Sequence, residues 1–144
     1  MLVYQILKSK SDDAVVTVKS GSLVSEAAKI LSDRKIGTVV ISQTGKDAKG
    51  ILSERDIVRA IANRGASCLM DKVDAYMTSK LVTCSRDESA DNGLKMMTEG
   101  RFRHMTVVES GDMVSLITIG DVVKARLSEL AMEKDALEGM IMGH

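Results

Sequence analysis

The chain has 144 residues, of which 44% are apolar and 28% charged, enough for a packed core under an ordinary solvated surface. Its 20 basic and 20 acidic residues cancel, and Tyr4, Tyr76 and Phe102 are its only aromatics. No net field therefore draws it to nucleic acid or an anionic membrane, and little is offered for bases to stack on. No apolar run approaches the ~18 residues of a membrane span, and the N-terminus lacks the basic start and apolar stretch of a signal peptide. The expected compartment is the cytoplasm.

Residues 1–8 predict a short amphipathic helix with Val3, Ile6 and Leu7 on one side. Val15-Val16-Thr17-Val18 reads as a strand. A helix follows from near Ser22, a suitable N-cap, with Glu26 in its first turns to favour the dipole. Its apolar positions Val24, Ala27, Ala28 and Leu31 follow i, i+3, i+4, i+7 spacing. Val39-Val40-Ile41 is a second strand, and Ser42 to Asp47 has turn composition. A third strand from Gly50 runs into another helix across Ser53-x-x-Asp56. Residues 65–78 link this unit to what comes next.

The same order then returns at a shift of about 65 residues. Leu81-Val82-Thr83-Cys84 repeats the first strand, with Asp87 or Ser89 as the next N-cap. Ala90, Gly93, Leu94 and Met97 repeat the helical spacing. Met105-Thr106-Val107 repeats the second strand, Ser110-Gly111-Asp112 the turn, and Thr118-x-x-Asp121 the entry to the last helix. The chain is a duplication, with copies at 9–64 and 75–128. A single unit of ~55 residues cannot bury a three-stranded sheet carrying two helices, whereas two units packed face to face can. The expected fold is α/β (α+β), two such units related by a pseudo-two-fold axis. The last helix starts near Asp121 and runs to about residue 139. Leu127, Leu130, Lys134 and Leu137 form a stripe on it that continues past the repeat. Segments 1–8 and 129–144 thus flank the repeats as helices, which favours a complete protein. Gly143-His144 is read as native or as an added remnant.

Ten methionines and no proline accompany this pattern, and the methionines read as core or dimer-interface filling. Cys68 and Cys84 have no metal-ligand spacing and read as reduced, partly buried thiols. Catalysis has little to work with. His104 and His144 are the two histidines, and no nucleophile-elbow, P-loop, zinc or dinucleotide fingerprint is present. Asp12-Asp13 and Asp87-Glu88 lie in polar stretches and read as caps or solvated charge. Neither an enzyme nor a metal site is expected.

Binding is better supported. Ser53-x-x-Asp56 and Thr118-x-x-Asp121 place a hydroxyl and a carboxylate about one helical turn apart, where both can face one crevice. A carboxylate accepts hydrogen bonds from vicinal hydroxyls, as a ribose offers. An ordinary helix cap explains the same residues, and duplication copies caps as faithfully as sites. Arg101-Phe102-Arg103-His104 tips the balance, because three potential cations cluster before a buried strand. An arginine fork suits phosphate oxygens, and His adds a donor. Arg55, beside Asp56, is a further candidate.

Val73-Asp74-Ala75-Tyr76-Met77-Thr78, Arg101 through Val108, and Gly50-Ile51-Leu52-Ser53-Glu54-Arg55-Asp56 together resemble the tandem cystathionine-β-synthase-type (CBS) domain family. The similarity extends to its short bacterial members made of one CBS pair. The resemblance spans nearly the whole chain. It implies two repeats packed through their sheets, with two clefts that in family members bind AMP, ADP, ATP, NAD(H) or S-adenosylmethionine. Carried over, Asp56 and Asp121 hold ribose hydroxyls, with Ser53 and Thr118 lining the same clefts. Thr17, Thr83 and the backbone near Gly37-Thr38 border the base, and Arg103, His104 and Arg55 meet phosphate. The family also implies a homodimer, a flat disc of four repeats. The chain departs from the family pattern at Thr106 and Ser85-Arg86, where prolines are common. Gly37-Thr38 stands opposite Arg103-His104, and Gly120 opposite Arg55, so the two clefts are expected to be unequal.

The resulting expectation is a regulatory, energy- or redox-sensing module. It binds an adenine nucleotide (AMP, ADP, ATP or NAD(H)), uses no catalytic cofactor, and acts on an unknown regulated protein. The alternatives are a ligand-free interaction scaffold, against which both aspartates speak, and the regulatory fragment of a larger enzyme.

Overall fold

The computed structural model describes residues 1–9 and 15–141. A short helix α1 (Val3–Ser9) precedes the first unit: β1 (Thr17–Lys19), α2 (Val24–Arg34), β2 (Thr38–Ser42), β3 (Gly50–Ser53) and α3 (Glu54–Arg64). Two 3-10 turns, Ala66–Met70 and Val73–Ala75, lead into the second unit. That unit contains β4 (Thr83–Cys84), α4 (Ala90–Gly100), β5 (His104–Glu109), β6 (Asp112–Thr118) and α5 (Ile119–Ile141). The sheets have orders β1-β2-β3 and β4-β5-β6, each with a parallel first pair and an antiparallel second pair. The mixed α/β architecture of two three-stranded sheets is the one the duplication predicts.

Strand alternation decides what each sheet face does. Val39 and Ile41 of β2 point to the helices and pack with Val24, Ala27, Leu31, Leu52 and Ile57. Met105 and Val107 of β5 do the same with Ala90, Met97, Ile117 and Val122. Val40, between those two β2 residues, joins Ile51 and Met113 in a third cluster, with Leu81 and Leu116 packed against it. Because that cluster draws from both sheets, it is the seam between the units. Fully burying each such aliphatic side chain contributes roughly 1.5–3 kcal/mol.

Connecting segments cross over. Val3, Ile6 and Leu7 of α1 pack into the core of the second unit. Val3 N–H donates to Glu88 O (2.9 Å) and Ala90 N–H to Met1 O (2.9 Å). In return, Val73 of the linker is buried in the first unit's core, with Leu69, Tyr76 and Met77 packed against it. Asp74 anchors this segment by accepting the Ser20 hydroxyl and the Gly21 N–H (2.7 Å). Those bonds, the Ser20 hydroxyl foremost, hold its carboxyl below the usual carboxylate range.

Several helix boundaries differ from expectation. The N-cap of α2 is Leu23, not Ser22, and the Glu26 carboxylate accepts the Leu23 N–H at 3.3 Å. Ser22 belongs to the preceding turn, where its carbonyl accepts the Val73 N–H at 2.8 Å. Ser89 rather than Asp87 caps α4, accepting the Asn92 N–H at 3.1 Å. Helix α5 starts at Ile119, two residues before Asp121, and reaches Ile141. In the Ser42–Asp47 turn, Asp47 Oδ1 accepts the Ser42 hydroxyl (2.6 Å) and the Thr44 N–H (2.8 Å). These bonds hold its carboxyl far below the usual range. Both cysteines are free and buried, and burial pushes the Cys84 thiol up to about 11. The readings placed on Asp12-Asp13 and on Gly143-His144 lie outside the described residues. Among the described residues no helix is long and apolar enough to cross a membrane, and no cluster of metal-ligating side chains occurs.

Candidate ligand-binding cleft

Each third strand hands over to its helix through a reciprocal capping box. Ser53 Oγ accepts the Asp56 N–H at 3.2 Å, and Asp56 Oδ2 accepts the Ser53 N–H at 2.9 Å. Thr118 and Asp121 repeat this at 3.0 and 2.9 Å. The cap reading of both pairs is therefore correct. It does not exhaust Asp56, because Oδ2 does the capping while Oδ1 faces Arg59 Nη1 at 3.8 Å. A carboxylate has about four acceptor sites, so a capping aspartate keeps capacity for ligand hydroxyls.

The helix starts also fix what lies opposite them. Glu54 N–H donates to Gly37 O (2.9 Å), and Ile119 N–H donates to Arg103 O (2.9 Å). The first pins the approach to β2 and the second the approach to β5. Arg101 closes α4 in the left-handed region (φ 56°). Phe102 then turns back, its N–H bonding Met97 O at 3.1 Å. Its ring lies over Gly100, where any Cβ would collide with it. The Arg101–His104 run is thereby set at the mouth of a crevice between the units.

That crevice is a cleft of about 520 Å³, with walls from both units. Of the residues singled out from sequence, Gly37, Thr38, Ser53, Arg55, Asp56, Arg103, His104 and Thr118 line it. Thr17, Thr83 and Asp121 are not in its wall. Thr17 stands half-buried on β1 opposite Val40, Thr83 is exposed on β4, and Asp121 is half-buried at its own cap. Arg59, Thr78, Lys80, Leu81 and Val82 line the cleft without having been picked out. Arg59 had a legible signal, lying three residues after Asp56 on the same helix face. Lys80 had none. It arrives because Thr78 pairs with Ile51 through two backbone bonds of 2.8 and 2.9 Å, a tertiary contact that draws the linker along β3.

The lining divides by chemistry. Ile51, Leu81, Val82, Phe102 and Ile119 supply apolar surface, and Thr38, Ser53, Thr78 and Thr118 supply hydroxyls. Five cationic side chains, Arg55, Arg59, Lys80, Arg101 and Arg103, meet only two acidic ones, Glu54 and Asp56. Among the described residues Arg59 alone of the five is ion-paired, with Asp56. His104 Nε2 lies 2.9 Å from Thr38 Oγ1, a bond that spans the two units. Burial holds the imidazole below its usual range, and the Arg103 charge pushes the same way against the opposing pull of Asp121 and Asp56. By the duplication, the counterpart of Thr78–Val82 is the stretch before β1, where residues 10–14 lie outside the described residues.

Comparisons with known proteins agree with this architecture. A family model described as the CBS domain matches residues 7–63 and again 73–128. The chain is 30% identical, over 148 aligned positions, to the CBS domain-containing protein CBSX3, mitochondrial, of Arabidopsis thaliana, covering 98% of this chain and 72% of that protein. The solved CBS-domain containing protein ATU1752 from Agrobacterium tumefaciens shares 40% identity at a TM-score of 0.82, covering 88% of this chain and 99% of that one. The CBS domain protein PAE2072 from Pyrobaculum aerophilum, solved in complex with AMP, shares 25% identity at a TM-score of 0.77, covering 92% and 99%.

Proposed function

Because this chain belongs to the CBS-domain family, we propose that it is a regulatory module whose cleft binds an adenine nucleotide. One observation carries the reading. The same crevice holds a capping carboxylate facing a set of hydroxyls, an apolar wall, and cations contributed by both repeats. An adenine nucleotide has a matching division into base, vicinal diol and phosphate. The base lies against Ile51, Leu81 and Val82, the ribose hydroxyls donate to Asp56, and the phosphates meet Arg101, Arg103, Arg55 and Lys80. Charge-assisted bonds from arginine are the strongest compensation for a phosphate leaving water.

Regulation follows from where the walls come from. A phosphate held by Arg55 of the first repeat and Arg103 of the second ties the repeats together, so occupancy biases their relative placement. AMP, ADP, ATP and NAD(H) all carry the required groups, and the AMP complex of PAE2072 supports this ligand class. A homodimer, an unidentified regulated protein and a cytoplasmic setting complete the reading, which assigns no catalytic step. The second cleft, around Asp121, takes the same ligand more weakly, because Arg55, Lys80, Arg101 and Arg103 all line the cleft that Asp56 serves.

Mass spectrometry of small molecules released by denaturing the protein, purified from the cells that make it, tests the reading. An adenine nucleotide is expected. A ligand without a ribose diol or phosphate, or nothing at all from fully folded protein, contradicts it.

A further inference from the structure

Helix α5 has 23 residues, and Val122 and Ala125, near its start, are the buried ones. From residue 129 to Ile141 it extends roughly 20 Å further, at 1.5 Å per residue. Along its outer side Val123, Leu127, Leu130, Lys134, Leu137 and Ile141 follow alternating steps of four and three. These are the d and a positions of a heptad, a coiled-coil seam with one lysine at an a position. The apolar members are strongly exposed, from 44% at Val123 to 83% at Ile141. In the same frame Val122 and Ala125 take c and f, so the face that packs on the second repeat points away from the seam.

We propose that the seam is covered by the seam of a second copy of this chain, with the two helices antiparallel. The inference rests on the homodimer of the preceding section and adds its orientation and register. Charge decides the orientation. In a parallel pair, Lys134 shares a core layer with Lys134 of the partner subunit. Glu133 at g then falls beside the partner's Glu138 at e, twice by symmetry, and all these contacts repel. In an antiparallel pair a positions face d positions. Leu127 meets the partner's Leu137, and Lys134 lies over the partner's Leu130, its stem covering apolar surface while its ammonium reaches water. The e flank sets Lys124 beside the partner's Glu138, twice, which attracts. The g flank carries one repulsion, Glu133 against the partner's Glu133.

The full-length chain tests this through cysteine cross-linking, with the wild type and its two buried thiols as the baseline. Chains carrying Leu127→Cys, mixed and equilibrated with chains carrying Leu137→Cys, are expected to form a disulfide-linked dimer under mild oxidation. Neither variant alone should do so. Antiparallel pairing offsets residue 127 from its own copy by ten residues, roughly 15 Å, beyond the ~7 Å Cα reach of a disulfide. Cross-linking of either variant alone signals a parallel pair and overturns the inference. In sedimentation equilibrium Glu138→Lys should loosen the dimer about threefold or more, and adding Lys124→Glu should restore it. Tightening by Glu138→Lys overturns the inference too. A dimer indifferent to Leu130→Glu combined with Leu137→Glu assembles through another face, which overturns the inference and leaves the homodimer standing. A wild-type chain that stays monomeric overturns both.

Discussion

Thr38 and His104 are counterparts in the duplicated sequence, and their side chains meet, Oγ1 to Nε2, at 2.9 Å. Each opens the middle strand of its sheet. Thr38 pairs with Ser53 and His104 with Thr118, so each sits opposite the cap of the following helix. The bond therefore joins equivalent points of the two repeats in the wall of the cleft, within electrostatic reach of Asp56 and Asp121. Divergence after duplication has turned a symmetric position into a donor–acceptor pair.

The bond has a pH signature. Burial lowers the His104 pKa from 6.5 in the folded state, so folding is linked to the neutral ring. Its contribution is fully present above the unfolded value and is lost as pH falls through the depressed folded value. The denaturation midpoint should drop between about pH 7 and pH 5, and should drop less in His104→Asn. Asp47 and Asp74, depressed from 3.8, act in a separate window below about pH 4. An identical slope in the variant assigns the pH dependence to other groups.

Nucleotide binding should take up protons. A phosphate near His104 opposes the burial that keeps the ring neutral, raising its pKa in the complex. Calorimetry near pH 6 in two buffers of different ionisation enthalpy should show a buffer-dependent heat corresponding to net uptake of a fraction of a proton. His104→Asn should remove most of it. Equal heats in both buffers contradict the placement of phosphate beside His104.

Thr106 occupies the position of Val40 in the second repeat, at 1% exposure, and among the described residues its hydroxyl has no hydrogen-bond partner. An unsatisfied buried hydroxyl costs about 1–3 kcal/mol. Thr106→Val removes the orphan while keeping the side-chain shape, so stability should rise by roughly 1 kcal/mol in urea denaturation. A loss of stability means the hydroxyl has a role the structure does not reveal.

Much of the fold was legible in the sequence because it is written in periodicity. The apolar run Val39-Val40-Ile41 marked a strand, helical spacing put Val24 and Leu31 on one face, and turn chemistry located the Ser42–Asp47 loop. Repetition supplied the relation between the two halves. The cleft was less legible. Arg103, His104, Asp56 and Ser53 carry local signals of charge clustering and capping. Lys80 reaches the wall only through the backbone pairing of Thr78 with Ile51. The Ser22 cap failed for the same kind of reason, since the linker at Val73 takes its carbonyl.

The clefts should respond unequally to one substitution. Arg103→Ala is expected to weaken nucleotide binding at the stronger site by about ten- to a hundredfold, the value of a charge-assisted bond. The effect should shrink as salt rises, because the arginine is exposed at the cleft mouth. A titration resolving two equal sites, both indifferent to Arg103→Ala, removes any role for the diverged cations.

Titration calorimetry of the wild-type chain and Asp56→Ala with AMP, ATP and NADH tests the central claim most directly. The account predicts saturable binding of at least one of these, weakened about ten- to a hundredfold by Asp56→Ala in protein that remains folded. No binding of any of the three, or an affinity unchanged in the folded Asp56→Ala variant, would contradict it.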